Sequence, residues 1–485
     1  MTLRRIHWLI LLVLASCALV AKPAKQPNIL FIFLDDFGWR DTSYMGSDFF
    51  ETPHIDQLAA NGMIFQQAYS ASANCAPARA SLLSGQYSPR HKIYNVGTEP
   101  RGKTEHRRLE HIPGVSNLDP SIITWAQVAQ AAGYTTASIG KWHLSNDPIP
   151  YGFDLNIGGS HSGSPPQGYY PPHPHAPGLE NAPAGEYLTD RLNDEAVKFI
   201  EQNAQKPWLL YLTHFSVHTP IQAKNELVDQ YAAKTPGALH HNVKMATMIH
   251  ATDEGIGRIM AKLEKLNLTA DTAIIFFSDN GGYGPATDMN PLYGYKGTYY
   301  EGGIRVPLAI SWPGRITPGQ ISDALVTGVD IYPTLCEIMG TPLPDQILDG
   351  ESLVPVLTGT KPDPDRALYW HFPAYLQSYA QTTAEQRDVL FRSRPVSVVR
   401  QGDWKLHHFY EDDAYELYNL HEDIGETTNL FAAKPQKARD LQQLLNDWIA
   451  ETGADVPRRP NPQFNAAVHD AAVADRTARA TLLDR

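Results

Sequence analysis

The chain has 485 residues, 42% hydrophobic and 10% aromatic, enough for a large core and for more than one folded unit. Its formal charge of -12 excludes a general nucleic-acid surface, so a polyanionic partner would need a local basic pocket. The first residues, "MTLRRIHWLILLVLASCALVAK", give a charged start, an apolar run and then small residues, the pattern of an export signal over 1–21. Within it Leu14-Ala15-Ser16-Cys17 resembles a lipobox, with a lipid anchor at Cys17; the other reading is ordinary cleavage near Ala21. "PNILFIFLDDFGW" (27–39) is a nearly continuous apolar run, as in a strand buried on both faces. "TTASIGKWHL" (135–144), "WLLYLTHFSVH" (208–218), "TAIIFFSDNGG" (272–282) and "VPLAISWPG" (306–314) repeat the pattern. Helical patterns separate them: "TPHIDQLAANG" (52–62), with Thr52 as cap and Pro53 in the first turn, and "MATMIHATDEGIGRIMAKLEKL" (245–266), with Met245, Ile249, Ile256 and Leu263 on one stripe. The alternation predicts an α/β domain over 27–365, a doubly wound, mostly parallel sheet flanked by helices. Residues 145–190, rich in Gly, Pro, His and Tyr, form a long loop suited to substrate contact. From 366 to 455, "PVSVVRQGDWKLHHF" and "YELYNL" predict a smaller antiparallel sheet, covered by a helix through Leu441, Leu444, Leu445 and Trp448. Residues 456–485 are expected as a surface wrap and a loosely ordered tail.

Ligands of an open α/β sheet collect beyond the carboxyl ends of its strands. Asp35 and Asp36 end the first strand, while Asp279 and Asn280 end another before Gly281-Gly282. Carboxylates converging there would repel one another without a cation, and an all-oxygen set suits calcium or magnesium better than zinc. Either pair alone reads as a turn or a helix cap; two pairs on two strand ends point to a metal. Lys141 and His143 in "GKWHL", His218 in "SVHTP" and Lys296 in "GYKGTYYEGGIRVP" share this edge and together argue for an anion site. "CAPARASLL" opens a helix with Pro77 in its first turn and Arg79 four residues after Cys75. Its free amides and positive dipole end favour an oxyanion beside Cys75. In an exported chain, Cys75 and Cys336 could instead pair as a disulfide. Against this, Ile331, Leu335, Ile338 and Met339 give a helical pattern that packs Cys336 as a small hydrophobe.

Cys75-Ala-Pro77-Ala-Arg79, followed by Leu83-Ser84-Gly85, resembles the signature of the type I, formylglycine-dependent sulfatases of the alkaline-phosphatase-like superfamily. "NILFIFLDDFGW", "TPHIDQLAANGMIFQQAYS", "GKWHL", "HTP", "SDNGG" and "KGTYYEGGIRVP" follow the family's order over roughly 27–450, with Ser84 where threonine is common. The resemblance implies that a maturation enzyme oxidises Cys75 to formylglycine (3-oxoalanine), which hydrates to a diol. One hydroxyl would attack sulfur and the other, once deprotonated, would expel sulfate. It implies one calcium ion held by Asp35, Asp36, Asp279, Asn280 and an oxygen of the modified Cys75. Arg79 and Lys141 would orient the diol, and Lys141 and Lys296 would contact sulfate oxygens. His143 would be the base for the second hydroxyl and His218 the acid for the leaving alcohol, two roles that could be exchanged.

The implied protein is a sulfuric ester hydrolase, periplasmic or attached to the outer membrane of a bacterium. It would act exo on a sulfated galactan or a similar algal polysaccharide fragment. "GFDLNIGGSHSGSPPQGYYPP" (152–172) resembles the corresponding loop of sulfatases acting on galactose-containing glycans. Ser160 and His161 in that loop, His371 in "LYWHFP" and Arg392 and Arg394 in "FRSRP" are candidate substrate contacts; solvation or local hydrogen bonding is the other reading of each. Two further functions fit the chain. One is a phosphodiesterase or phosphonate hydrolase on the same scaffold, since sulfuryl and phosphoryl groups are both tetrahedral; the other is a catalytically silent glycan-binding protein.

Overall fold

The computed structural model describes residues 26–380 and 387–483; the signal over 1–21 and the lipobox ending at Cys17 lie outside the described residues. Asn28–Leu34 is a strand (β1) buried along its whole length, because helices cover both faces. Its side chains alternate between two cores: Ile29, Phe31 and Phe33 enter one, Leu30, Ile32 and Leu34 the other. Met63–Phe65 (β2), Thr135–Gly140 (β3), Leu155–Ile157 (β4), Trp208–Thr213 (β5), Thr272–Ser278 (β6), Leu308–Ser311 (β7) and Gln320–Ser322 (β8) complete the sheet. The strand order is β4-β3-β5-β1-β6-β7-β2-β8. Neighbours from β4 to β6 are parallel, whereas β7 runs against both β6 and β2. The segment joining β6 to β7 holds one four-residue helix, Glu301–Ile304, too short for a parallel crossover, so the chain returns antiparallel.

The longer helices of this domain are Pro53–Ala60 (α1), Cys75–Ser84 (α2), Trp125–Ala131 (α3), Leu188–Gln202 (α4), Val243–Lys265 (α5) and Ile331–Met339 (α6). Leu82, Trp125 and Leu335 join the first core; Ile55, Phe199 and Ile249 join the second. Thr52 precedes α1 as expected, but its hydroxyl donates to Asp56 Oδ1 at 2.8 Å and accepts the Ser43 amide at 2.8 Å, and it caps no amide of the helix. Cys336 is buried in α6, where burial pushes its thiol up to about 11. Cys75 and Cys336 are both unpaired, which removes the disulfide reading.

The parallel register positions the site. Phe33 lies opposite Thr213, Thr213 opposite Gly140, and Leu34 opposite Ser278. The residues that follow, Asp35, Lys141 and Asp279, therefore emerge side by side although far apart in sequence.

Ala367–Phe372 (β9), Val396–Gln401 (β10), Trp404–Phe409 (β11) and Ala414–Asn419 (β12) form an antiparallel sheet in chain order, with Gly402 at positive φ in the β10–β11 turn. Pro435–Thr452 (α7) covers one face by packing Leu441, Leu445 and Trp448 on Val399, Leu406 and Leu417. Leu368, Trp370 and Val398 of the opposite face pack with Tyr69, Tyr299 and Ile304 of the first domain. Where a loose tail is expected, Ala466–Leu483 forms a helix (α8). Its alanine-rich sequence has high helix propensity, and it docks where His469 meets His106, ring centroids 6.2 Å apart. Among the described residues, no helix is long and apolar enough to cross a membrane.

Candidate active site

Successive residues of a strand point to opposite faces, so two adjacent aspartates share a site only if the strand breaks between them. Asp36 supplies the break by adopting φ 58°, a left-handed conformation that aspartate tolerates better than most residues. Its amide donates to Asp279 Oδ1 at 3.2 Å, and Asn280 Nδ2 donates to Asp36 Oδ1 at 2.8 Å. Asp35, Asp36, Asp279 and Asn280 are thus gathered and buried, each at most 1% exposed. Asp35 Oδ1 and Asn280 Oδ1 are buried acceptors without a hydrogen-bond partner among the described residues.

Basic groups interleave with the acids. Lys141 Nζ donates to Asp35 Oδ2 at 2.5 Å and Lys296 Nζ to Asp36 Oδ2 at 2.8 Å. Arg79 donates to Asp279 Oδ2 from Nε at 3.0 Å and Nη2 at 2.8 Å. Its Nη1 reaches the Lys141 carbonyl at 3.1 Å and Thr213 Oγ1 at 2.5 Å. Burial raises the Asp35 carboxyl, with Lys141 opposing. Burial would raise Asp36 too, but Lys296, His218 and Lys141 outweigh it and hold this carboxyl below the usual range.

Cys75 is the first residue of α2, and one donor atom from each of Cys75, Asp35, Asp36 and His218 lies within 4.8 Å of the others. Burial would raise the Cys75 thiol, yet Lys141 and Lys296 hold it well below its ordinary value. His218 Nδ1 donates to the Thr219 carbonyl at 2.8 Å, which leaves Nε2, 3.9 Å from Asp36 Oδ2, toward the site. Burial and Lys296 lower His218, but Asp35 and Asp36 outweigh them and raise it above an ordinary histidine. His143 is held well below that value by burial and by Lys141 and Arg79. One histidine is therefore disposed to carry a proton and the other to accept one. Above them opens a cleft lined by Cys75, His143, His218, Lys296, Tyr283 and Arg392 among others.

Comparison with known proteins explains why these groups meet. Residues 27–341 match the family model described as Sulfatase. The chain belongs to the sulfatase family. Residues 293–454 of this sulfatase also match the model "N-sulphoglucosamine sulphohydrolase, C-terminal". A "Sulfatase" of Formosa agariphila is 33% identical, over 91% of this chain and 92% of its own. The N-acetylgalactosamine-6-sulfatase of Canis lupus familiaris is 31% identical, over 75% of this chain and 72% of its own. The crystal structure of Ps i-CgsB in complex with k-i-k-neocarrahexaose superposes with a TM-score of 0.72 at 26% identity, covering 93% of this chain and 99% of that one. The fold is the alkaline-phosphatase-like α/β fold of the sulfatases.

The structure brings Asp35, Asp36, Cys75, Arg79, Lys141, His143, His218, Asp279, Asn280 and Lys296 of this sulfatase together, although Arg79 spends its guanidinium on Asp279, Lys141 and Thr213 below the cleft. Of the five substrate candidates only Arg392 lines the cleft, with its guanidinium carbon 3.8 Å from the centre of the Tyr379 ring. Ser160 and His161 support His143 instead. The Ser160 carbonyl accepts the His143 amide at 2.9 Å, and the His161 ring meets His143 edge-on at 6.4 Å. Gly163 and Ser164 are the members of that loop that line the cleft. Arg394 is turned away and pairs with Asp388 and Glu411. His371 is structural: Nδ1 meets Ser397 Oγ at 2.7 Å and Nε2 the Asp455 carbonyl at 3.1 Å. Asn95, Arg101, Tyr283 and Tyr379 also line the cleft and escape sequence reading; only Tyr283, directly after Asp279-Asn280-Gly281-Gly282, had a signal beside it.

Two predictions arise here. Gly140 has φ +111°, and a Cβ on it would stand 1.9 Å from the Thr213 carbonyl oxygen, which accepts the Lys141 amide at 2.6 Å. Gly140→Ala is expected to cost at least about 2 kcal/mol in urea unfolding and to displace Lys141, lowering sulfate release. Wild-type stability in that variant would refute the close approach. The second concerns acid. Burial lowers His371 from 6.5 to about 4, so the stability it contributes is complete above pH 6.5 and is lost as pH falls through 4. Between pH 7 and pH 4.5 the unfolding free energies of wild type and His371→Asn should converge by roughly 2–3 kcal/mol. A pH-independent gap would mean that His371 is not held neutral.

Proposed function

We propose that this sulfatase removes sulfate from terminal sugars of a sulfated galactan or a similar algal polysaccharide fragment, using a formylglycine made from Cys75 and one calcium ion. The observation that carries the reading is the position of Cys75, at the start of α2 in the floor of the cleft, beside Asp35, Asp36 and His218 and under the field of Lys141 and Lys296. A carbohydrate substrate is supported by a relative named for a sulfated amino sugar and by a structural neighbour that holds a neocarrahexaose.

The residues fit a hard cation, because orphaned buried oxygens of Asp35 and Asn280 sit with Asp36 and Asp279. These four side chains, with an oxygen of the modified Cys75, would hold it. Bound calcium would balance charge on the sulfuryl group and polarise the attacking hydroxyl. Formylglycine would supply a diol with one hydroxyl for attack on sulfur and a second through which sulfate leaves. Lys141 and Lys296 hold the anionic group in place. His218, with Nε2 facing the site, would give a proton to the departing alcohol, and His143 would accept the proton of the second hydroxyl. Residues 1–21 support export to the periplasm or the outer membrane, with or without a lipid anchor at Cys17, and the modification requires a formylglycine-generating partner.

The test is incubation with galactan oligosaccharides sulfated at known positions, following sulfate release and product structure. Loss of sulfate from the terminal sugar supports the reading. A preference for phosphate diesters over sulfate esters would replace it with the phosphodiesterase reading.

A further inference from the structure

The cleft does not end at Arg101, Tyr379 and Arg392. Their chain neighbours Lys103, Ser378, Gln377 and Phe391 line a second groove, whose far wall is α8 with Asp475, Arg476 and Arg479. Arg476, which lines the groove, donates to the carbonyl of Tyr379, which lines the cleft, so the two spaces meet at Tyr379.

The groove departs from the acidic surface average of a chain with charge -12: Lys103, Arg476 and Arg479 face one carboxylate, Asp475. Asp475 pairs with Arg479 at 3.0 Å, which leaves two cations of the groove without a carboxylate partner among the described residues. His106 also lines it but is lowered by burial, so it adds no charge at neutral pH. Arg476 donates from Nη2 to the Tyr379 carbonyl, tying α8 to the cleft, while its Nε is buried without a partner among the described residues. A buried guanidinium N–H without an acceptor is costly, and an anionic oxygen entering the groove would satisfy it.

We infer that α8 and Lys103 form a second anion subsite, which receives another sulfate ester of the same glycan while the scissile one sits in the cleft. The inference rests on the glycan reading above. It makes the enzyme selective for multiply sulfated chains, through binding and not through chemistry. Clustered cations in an otherwise acidic protein focus attraction on a polyanionic ligand.

The test uses the full chain carrying Lys103→Ala and Arg479→Ala together, both exposed; Arg476 is left intact because of its bond to Tyr379. The probes are a galactan tetrasaccharide with one terminal sulfate and the same tetrasaccharide with a second sulfate on the adjoining sugar. At low salt the wild type should prefer the second by about tenfold in kcat/KM, through KM, the size two partly screened charge contacts can supply. The double variant should lose that preference and use the singly sulfated probe as the wild type does. Binding of both probes to Cys75→Ala protein, with and without the double substitution, should show the same difference without turnover. Equal use of both probes by the wild type, or equal loss on both in the variant, as from a purely structural α8, overturns the subsite. Hydrolysis of an aryl sulfate with no binding of either tetrasaccharide overturns the glycan reading and the subsite with it.

Discussion

Cys75→Ala protein is expected to fold, to bind sulfated oligosaccharide and to release sulfate at least about ten-thousand-fold more slowly than the wild type. Alanine suits the first position of α2, and every residue of that helix is buried among groups that the substitution does not touch. What disappears is the one nucleophilic atom between Lys141 and Lys296, the cations that depress its thiol. Removing it takes a negative charge from beside two ammonium groups that stay paired with Asp35 and Asp36, so inorganic sulfate should bind at least as tightly to the variant as to the wild type. The mass of the wild-type tryptic peptide that carries Cys75 decides the chemistry. Conversion to formylglycine removes sulfur and two hydrogens and adds one oxygen. An unmodified thiol in an active wild-type enzyme would sink the formylglycine reading and leave a thiolate as nucleophile. Sulfate release by Cys75→Ala at the wild-type rate would move the nucleophile elsewhere.

The carboxyl-edge residues were legible because the rule that predicts them is topological. Once 27–39 and 272–282 read as buried parallel strands, Asp35, Asp36, Asp279 and Asn280 had to meet at one edge. Sequence could not show that Asp36 would adopt a positive φ, the detail that lets adjacent carboxylates share a site. His371 and Arg394 went astray because the role of a strand residue depends on the neighbouring strand. His371 lies opposite Ser397 in the register and is consumed by it. The partners of Arg394 include Glu411, which enters from beyond β11. The direction of β7 followed from what the preceding segment lacks, a crossover helix, and its own composition resembles that of its parallel neighbours. The helix α8 was unreadable as a docked element because its alanines carry helix propensity without an apolar stripe to reveal which face is covered.

Asp279→Asn should separate two duties that one carboxylate performs. Oδ2 takes two hydrogen bonds from Arg79, and both residues are fully buried. Losing the negative charge leaves a buried guanidinium with neutral acceptors alone among the described residues, the Lys141 carbonyl, Thr213 Oγ1 and at best one amide oxygen of the new asparagine. The expected cost in urea unfolding, measured with a chelator present, is about 3–5 kcal/mol, typical when one member of a buried pair is removed. Among the described residues Oδ1 accepts the Asp36 amide alone, at 3.2 Å, which leaves it able to take a cation with the orphaned oxygens of Asp35 and Asn280. Burial and repulsion from Asp35 push the Asp279 carboxyl well above its usual range, with Arg79 opposing. A divalent ion would relieve that repulsion, so calcium should stabilise the wild type by about 3 kcal/mol at a hundredfold excess over its Kd. The variant should lose most of this increment together with sulfate release. Equal stabilisation of both proteins by calcium would make Asp279 the counter-ion of Arg79 and nothing more. A loss under about 1 kcal/mol in chelator, with the calcium increment abolished, would assign Asp279 to the metal and leave Arg79 held by its carbonyl and hydroxyl partners.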